Sequence, residues 1–283
     1  MKNYLLLCAL ALLLFSCQKE IEFDFGNGGG GGGGGAKDGL LIKAVSRSGT
    51  DSIVASYTYD GSKRLLSEKV IGNSQAIDVG SDLRIIRNGA GIITGLVQKA
   101  AAFQQAGIDS VITKVYYSQG TSRYIATASE ISLFGFTVKD STVLVYDGSS
   151  KVIREDMYQS DPLAGNYVLS FKTEYSSAAN GNLDSFKQYD LTSGTPDLVA
   201  TVTYTYDTKV NPLQLNSEAF IIGRPVFISA NNVGVAQFDD ITDPANNITI
   251  TNTYTYNSFN KPSTGFSTQN PGNMVSDNTF YYQ

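Results

Sequence analysis

One short phrase recurs along the chain: alternating aromatic and threonine residues lead into a turn that begins with Asp or Asn, and a basic or apolar residue follows the turn. The fullest copy covers residues 57–65, and shorter copies cover 145–152, 204–213 and 254–262. Alternation that runs into an Asp-Gly dipeptide is typical of a β-hairpin. The chain is therefore predicted to be built from repeated hairpins.

The hairpins recur at a regular spacing. The residues before successive turns lie about 29 positions apart, and they are Tyr59, Arg87, Tyr117, Tyr146, Tyr175 and Tyr206. A unit of this length holds two strands of about ten residues and two turns. The next such tyrosine is Tyr256, so one interval is much longer. Residues 231–234 and 243–247, rich in Asn and Asp, are predicted to form turns or a longer loop there.

Side chains within each strand divide by parity. Tyr204 and Tyr206 share one face, with threonines on the other, and the strand over residues 53–59 divides in the same way. Tyrosine rings bury a large area and keep a phenol for hydrogen bonding, so the aromatic face is predicted to form the core. The predicted fold class is all-β, an antiparallel meander of hairpin repeats that forms an open barrel or shell. Residues 96–107 are predicted to form a strand pair, with a short helix as the alternative.

The N-terminus has the features of an export signal. Lys2 is followed by an apolar stretch over residues 4–15, too short for a comfortable membrane span, and then by Ser16 and Cys17. Leu-Phe-Ser-Cys is similar to the lipobox of bacterial lipoproteins, in which the cysteine becomes acylated. We therefore predict a lipoprotein signal peptide over residues 1–17, with residues 1–16 removed and Cys17 lipidated. An ordinary signal peptide is the alternative.

A flexible tether is predicted over residues 18–37. It begins with acidic residues at 20, 22 and 24 and continues into eight glycines at 28–35, a segment with no side chains to pack. The acidic run resembles the surface-display signal of Bacteroidota lipoproteins, so the expected location is the outer membrane, with either the periplasmic or the cell-surface side left open. Residues 38–283 form the predicted all-β domain.

Composition excludes several kinds of chemistry. The chain has no histidine, and its other cysteine, Cys8, lies within the predicted signal, so Ser-His-Asp and Cys-His nucleophile systems and His- or Cys-ligated metal sites are ruled out. A net charge of −5 without a run of Lys or Arg makes nucleic acid an unsuitable partner. We predict that the protein is not an enzyme and that it needs no cofactor.

Carboxylates are the remaining candidates for a site. Asp239 and Asp240 are adjacent, as are Glu155 and Asp156, but neighbours on a strand face opposite ways, so neither pair is predicted to form a catalytic dyad. Asp239, Asp240 and Asp243 concentrate oxygen donors near two asparagines, which could hold calcium. Ordinary turn formation is the default interpretation of this segment.

Two phenylalanines break the repeat pattern. Phe134 and Phe136 flank Gly135 and are the candidates for contact with a ligand, whereas the regularly spaced tyrosines are assigned to the core. A transmembrane β-barrel is a further alternative, although serine and threonine occupy the side of the strands that would face lipid.

The repeated phrase resembles a known family. Tyr-x-Tyr-Asp followed by Gly, a basic residue and Leu, as in residues 57–65, is similar to the YD repeat of RHS and teneurin-type proteins. With the lipobox and the glycine tether, the chain looks like the Bacteroidota lipoproteins that carry a YD-like domain of unknown function with a porin-like, open-barrel fold. The resemblance implies no catalytic residues. We predict a lipid-anchored envelope or surface module that binds a glycan or an envelope protein, with a purely structural role and a glycan-processing accessory role as the alternatives.

Overall fold

A single sheet makes up most of the part of the chain that the structure describes. The computed structural model describes residues 39–74, 77–133, 136–160 and 166–283. The strands of the described chain are β1 (Leu41–Ser48), β2 (Asp51–Tyr59), β3 (Leu65–Ser74), β4 (Ile77–Asp78), β5 (Ser81–Arg87), β6 (Ile93–Ala100), β7 (Val111–Tyr117), β8 (Tyr124–Leu133), β9 (Phe136–Tyr146), β10 (Val152–Ser160), β11 (Tyr167–Ser177), β12 (Leu183–Asp190), β13 (Asp197–Val210), β14 (Asn231–Asp240), β15 (Ile248–Tyr256), β16 (Pro262–Asn270) and β17 (Met274–Tyr282).

Every strand of the described chain except the short β4 pairs antiparallel with the next one of the barrel, so the predicted all-β meander is confirmed. The short β4 pairs only with β3, which also pairs with β5. The last strand, β17, pairs with β1 through Ala44 opposite Phe280 and Val45 opposite Thr279. This pairing closes the sheet into a barrel of sixteen strands, where the sequence had left an open barrel or a shell.

The two faces of the strands divide as the parity of the sequence predicted. In β2, Ile53, Ala55 and Tyr57 are buried inside the barrel while Thr58 is exposed outside. In β13 and β15 the tyrosines lie inside and the threonines outside; the exposed members are Thr203, Thr205, Thr251, Thr253 and Thr255. On β13 and β15 the interior face is therefore aromatic and the exterior face hydroxylated, whereas aliphatic side chains supply much of the core elsewhere.

The turns of the repeated phrase are built around one side-chain oxygen. The Oδ1 atom of the first turn residue accepts the N–H groups two and four positions later. The pairs are Asp60 with Ser62 and Arg64, Asn88 with Ala90 and Ile92, Asp147 with Ser149 and Lys151, and Asn257 with Phe259 and Lys261. These turns lie at one end of the barrel, which we call the tyrosine rim.

The left-handed residue of these turns is not the glycine of the Asp-Gly dipeptide. Lys63 and Ser150 take positive φ values of 64° and 63°, while Gly61 and Gly148 do not. The sequence predicted a turn centred on Asp-Gly. Instead, the aspartate side-chain oxygen accepts backbone N–H groups across a longer turn, whose fourth residue is left-handed. The glycines at the second position meet no neighbouring atom that a Cβ would touch.

Phenol groups tie neighbouring strands together at the tyrosine rim. Each of four tyrosines at or near the end of a strand donates its O–H to the backbone carbonyl of the first residue of the preceding strand. The bonds are Tyr59 to Leu41 at 2.7 Å, Tyr146 to Tyr124 at 2.7 Å, Tyr206 to Leu183 at 2.6 Å and Tyr282 to Pro262 at 2.7 Å. Burial raises the pKa of Tyr59 and of Tyr206 to about 12, so these phenols stay protonated donors at neutral pH.

The long interval in the repeat contains an insertion that the sequence placed wrongly. Residues 231–234 were expected to form a turn or loop, but they begin strand β14 and pair with β13. The insertion covers residues 211–230 instead and contains a short helix, α1 (Glu218–Ile221), and a 3-10 helix (Pro225–Ile228). Both of its ends lie at the tyrosine rim, and we call it the plug.

Residues 96–107 contain both of the alternatives that the sequence offered. Strand β6 runs to Ala100, and a five-residue helix, α2 (Ala101–Gln105), follows it directly. A 3-10 helix (Pro244–Asn246) lies in the loop between β14 and β15. Among the described residues, no helix has the length and apolar character needed to cross a membrane.

Candidate functional site: the plugged lumen

The plug enters the barrel and packs against one half of its wall. Leu213, Phe220 and Ile221 are buried in one cluster with apolar residues of the wall. The wall members come chiefly from β1 to β10 and include Ile53, Tyr57, Leu65, Val70, Leu83, Ile85, Ile93, Leu96, Val115, Tyr124, Leu144 and Val152. Burial of this apolar surface is the main term that holds the plug inside.

Two ion pairs fix the plug to strands far from its own attachment points. Arg87 on β5 donates to both carboxylate oxygens of Glu218, at 2.6 and 2.8 Å, and Arg224 donates to Glu68 on β3 at 2.6 Å. The Arg87 and Glu68 side chains are only 5% and 4% exposed. Because these charges are removed from water, each depends on its partner across the lumen.

The base of the plug is fixed by polar contacts with the strands beside it. Ser229 Oγ accepts the N–H of Leu183 at 3.0 Å and donates to the Tyr206 phenol oxygen at 2.9 Å. Asn182 accepts the N–H of Ala230 at 3.0 Å. Asp207, the turn residue of β13, bonds to Asn232. The plug is thus attached around its whole path rather than at one hinge.

A cavity of about 500 Å³ remains in the lumen beside the plug. Its wall comes from β1, β2 and β10 to β17, and residues 211–213 and 223–227 of the plug cover it. Most lining side chains are apolar or aromatic, and they include Ala55, Tyr57, Met157, Phe186, Tyr204, Ala236, Phe238, Ile250, Tyr254 and Phe280. This size and character fit a small organic ligand.

One carboxylate faces this cavity from deep within the barrel. Glu155 on β10 accepts the phenol O–H of Tyr175 on β11 at 2.7 Å. Burial raises the pKa of Glu155 to about 7, and the hydrogen bond from Tyr175 opposes that rise. Glu155 is therefore partly protonated near neutral pH. Its negative charge would be stabilised by any cation brought next to it.

An aromatic strip begins at this carboxylate. Tyr175 contacts Phe186 edge-on at a centroid distance of 6.1 Å, and Phe186 lies 6.4 Å from Tyr204. Phe220 of the plug packs on Tyr175 at 5.0 Å with an interplanar angle of 72°. Across the cavity wall, an amide cluster links Asn252, Ser267 and Asn278. The cavity thus offers one acidic end, one amide cluster and aromatic surface between them.

The outer face of the barrel carries both paired charges and exposed apolar side chains, among them Ile71, Ile86 and Ile112. Lys69 lies opposite Asp82, which lies opposite Lys99, so three neighbouring strands carry an exposed ladder of alternating charge. Glu130 and Lys139 form an ion pair at 3.3 Å with both side chains about half exposed. Charges of this kind are costly on a surface that faces lipid hydrocarbon.

The predicted calcium residues take part in turn formation. Asp240 ends β14, and its Oδ1 accepts the N–H groups of Thr242 and Asp243 and the Thr242 hydroxyl. Burial alone would raise the pKa of Asp240, but these bonds and one from Asn246 lower it. Asp239 instead accepts a hydrogen bond from the side-chain amide of Gln237. Asp243 caps the N-terminus of the 3-10 helix that follows. No cluster of three or more His, Cys, Asp or Glu suited to a metal occurs in the described part of the chain.

The other predicted site residues are only partly covered. Cys17 and Phe134 lie outside the described residues. Phe136 begins β9, and its backbone pairs with Leu133. From the sequence, Glu155 stood out only as one half of the acidic pair with Asp156. The signal that could have placed it in the lumen is its position two residues from Met157 on the same face of β10.

The fold resembles that of solved porin-like proteins. A porin-like protein from Bacteroides uniformis aligns with a TM-score of 0.52 at 10% identity, covering 86% of this chain and 98% of that one. A porin-like protein from Bacteroides vulgatus aligns with a TM-score of 0.52 at 11% identity, covering 87% and 99%. The chain has a porin-like barrel fold.

Sequence comparisons add no closer assignment. No protein-family profile matches the chain, and no curated protein matches it. A structure described as TcdB2-TccC3 overlaps at 18% identity with a TM-score of 0.30, which is too low to carry an argument about the YD repeat. The relationship to YD-repeat proteins stays a prediction from the repeated phrase.

Proposed function

We propose that this porin-like barrel is a non-catalytic, lipid-anchored protein of the outer membrane, which binds a small ligand in its lumen. The observation that carries the binding role is the plugged lumen itself. Residues 211–230 occupy the space through which a channel would conduct, and they leave a cavity of about 500 Å³ with a mainly apolar and aromatic lining. A compartment of this kind suits binding better than passage.

The non-catalytic part of the proposal rests on composition. The chain has no histidine, and within the described residues Glu155 is the single acid that lines the cavity, whereas Glu68 and Glu218 are held in ion pairs. Glycoside hydrolysis needs two carboxyl groups about 5 to 9.5 Å apart. The lumen chemistry therefore supports ligand recognition, with the aromatic surface supplying most of the contact.

The location follows from the lipobox and the tether together with the barrel. Gly39, where the described chain begins, donates to Gln283 at 2.9 Å and accepts from Lys261 at 2.5 Å. The tether would thus join the barrel at the tyrosine rim, beside the plug. The exposed charges on β3, β5 and β6, together with the lipobox, support a barrel that is held near the membrane by acyl chains on Cys17 rather than inserted in it.

Binding in the lumen is tested with the neutral fluorescent probe N-phenyl-1-naphthylamine. We expect saturable binding to the full chain and loss of binding in Ala236→Phe, because Ala236 lines the cavity and is only 7% exposed. Ala128→Phe is the matched control, since Ala128 lies opposite Lys114 on the outer face. Equal binding by both variants would place the probe outside the lumen and contradict the proposal.

Three further measurements separate the alternatives. Lipid-bilayer recordings should show no conductance, and channel activity would overturn the binding role in favour of a pore. Metabolic labelling with palmitate should mark the wild type and not Cys17→Ala, and the variant should leave the membrane fraction. Protease treatment of intact cells then distinguishes surface display from a periplasmic position.

A further inference from the structure

The lumen cavity is chemically asymmetric. Glu155 and Tyr175 occupy one part of its wall, and Phe186 and Tyr204 continue from them across β12 and β13. An aromatic face attracts a cation through its quadrupole, and a carboxylate within a few ångströms adds a direct charge interaction. The combination of aromatic surface and one carboxylate recognises an ammonium group on an apolar body.

We propose that this part of the lumen binds a small apolar amine, with its ammonium group beside Glu155 and its apolar body against Phe186 and Tyr204. This inference rests on the proposed ligand-binding role of the lumen and adds the chemical class of the ligand.

The Glu155 carboxylate is arranged to accept such a partner. Tyr175 donates to one oxygen, Oε2, which fixes the orientation of the group. That bond is the one hydrogen bond to this carboxylate within the described chain, so Oε1 is available to a ligand donor. The two buried arginines that approach the lumen are already committed, Arg87 to Glu218 and Arg224 to Glu68. Glu68 and Glu218 each have an arginine partner. A ligand cation beside Glu155 would give this third carboxylate a basic partner as well.

The cavity volume sets the size of the body. A space of about 500 Å³ holds a molecule with one or two rings. Asn252 and Asn278 line the same cavity, so a ligand polar group could bond to them. A long polyamine or an oligosaccharide is excluded, because the mainly apolar lining would leave their additional polar groups without hydrogen-bond partners.

The experiment compares two probes of the same shape by titration calorimetry on the full chain at pH 8. 1-Naphthylmethylamine carries the ammonium group, and 1-naphthalenemethanol replaces it with a hydroxyl. We expect the amine to bind about tenfold more tightly than the alcohol. The preference should disappear in Glu155→Gln, and it should persist in Glu130→Gln, which changes an exposed carboxylate on the outer face.

Each outcome separates this inference from the proposed function. Equal affinities for amine and alcohol, with both displaced by N-phenyl-1-naphthylamine, would leave lumen binding in place and overturn the amine preference. Failure of both probes and of N-phenyl-1-naphthylamine to bind would remove the proposed function as well. An amine preference that survives in Glu155→Gln would place the ammonium group elsewhere and contradict the assignment. If Glu155→Gln does not fold, the comparison of the two probes on the wild type still decides the preference.

Discussion

A single oxygen atom determines the shape of each turn at the tyrosine rim. Asp147 Oδ1 accepts the N–H groups of Ser149 at 2.8 Å and Lys151 at 2.9 Å, which satisfies two backbone donors within the turn. Ser150 can then adopt a φ of 63°, a conformation that costs a non-glycine residue about 1–2 kcal/mol. The turn therefore tolerates different residues at the left-handed position as long as Asp or Asn comes first.

This arrangement predicts opposite effects for neighbouring substitutions. Asp147→Ala should lower the free energy of unfolding by about 1–2 kcal/mol, because two N–H groups lose a charged acceptor. Gly148→Ala should be neutral or raise it by about 0.5 kcal/mol, since a Cβ there meets no neighbour and restricts the unfolded chain. Chemical denaturation of the two variants measures both values. A larger loss for Gly148→Ala would show that the Asp-Gly dipeptide itself makes the turn.

Glu155 is the residue whose titration should be visible in stability. Its pKa rises from 4.5 in the unfolded chain to about 7 in the folded protein, mainly through burial. Between these values the folded state keeps a proton that the unfolded state releases, so the free energy of unfolding falls as pH rises from 4.5 through 7. The loss is about 3 kcal/mol when complete.

Glu155→Gln should remove this dependence. Relative to wild type, the variant should gain about 3 kcal/mol in the free energy of unfolding between pH 4.5 and pH 8. Denaturant titrations of wild type and variant at both pH values give the difference, and other carboxylates cancel in the comparison. Glu130→Gln serves as the exposed control. A difference that does not change with pH would mean that folding does not raise the pKa of Glu155.

At the scale of elements, the plug is the part that departs from the repeat. The interval from Tyr206 to Tyr256 showed from the sequence that extra residues were present, but the Asn-rich segment at 231–234 directed attention to the wrong place. Those residues form a strand because β13 offers them partners across a bulge, with Tyr206 opposite Val233 and Val210 opposite Asn231. Residues 211–230 follow neither strand alternation nor a long helical pattern. Their position became clear only from contacts across the lumen, such as Glu218 with Arg87, which sequence spacing does not encode.

The plug is expected to depend on its buried ion pairs. Glu218→Ala should lower the free energy of unfolding by about 2–3 kcal/mol, because Arg87 keeps its charge in a buried position. Arg87→Met should cost a similar amount, and the double variant should cost less than the sum. The exposed pair Glu130 and Lys139 is the control, for which removal of one partner should change stability by less than about 1 kcal/mol. Equal effects at both pairs would mean that the plug is not held by Arg87.

At the scale of the whole molecule, repeat length and parity were enough to predict the meander and its interior face. They could not predict closure, because the pairing of β1 with β17 joins the two ends of the chain and depends on the number and stagger of strands between them. In a closed barrel β17 has a partner on each side, β16 and β1. An open sheet would leave one side of β17 unpaired.

Proline substitutions at two successive positions of β17 distinguish these cases. The N–H groups of Asn278 and Thr279 point to opposite sides of the strand, so one of them bonds toward β16 and the other toward β1. In the closed barrel both Asn278→Pro and Thr279→Pro should lower the free energy of unfolding by about 3 kcal/mol or more, since each removes a ladder hydrogen bond. Asn278→Ala and Thr279→Ala correct for the lost side chains. If one proline variant has the same free energy of unfolding as its alanine control, that side of β17 has no partner and the barrel is open in solution.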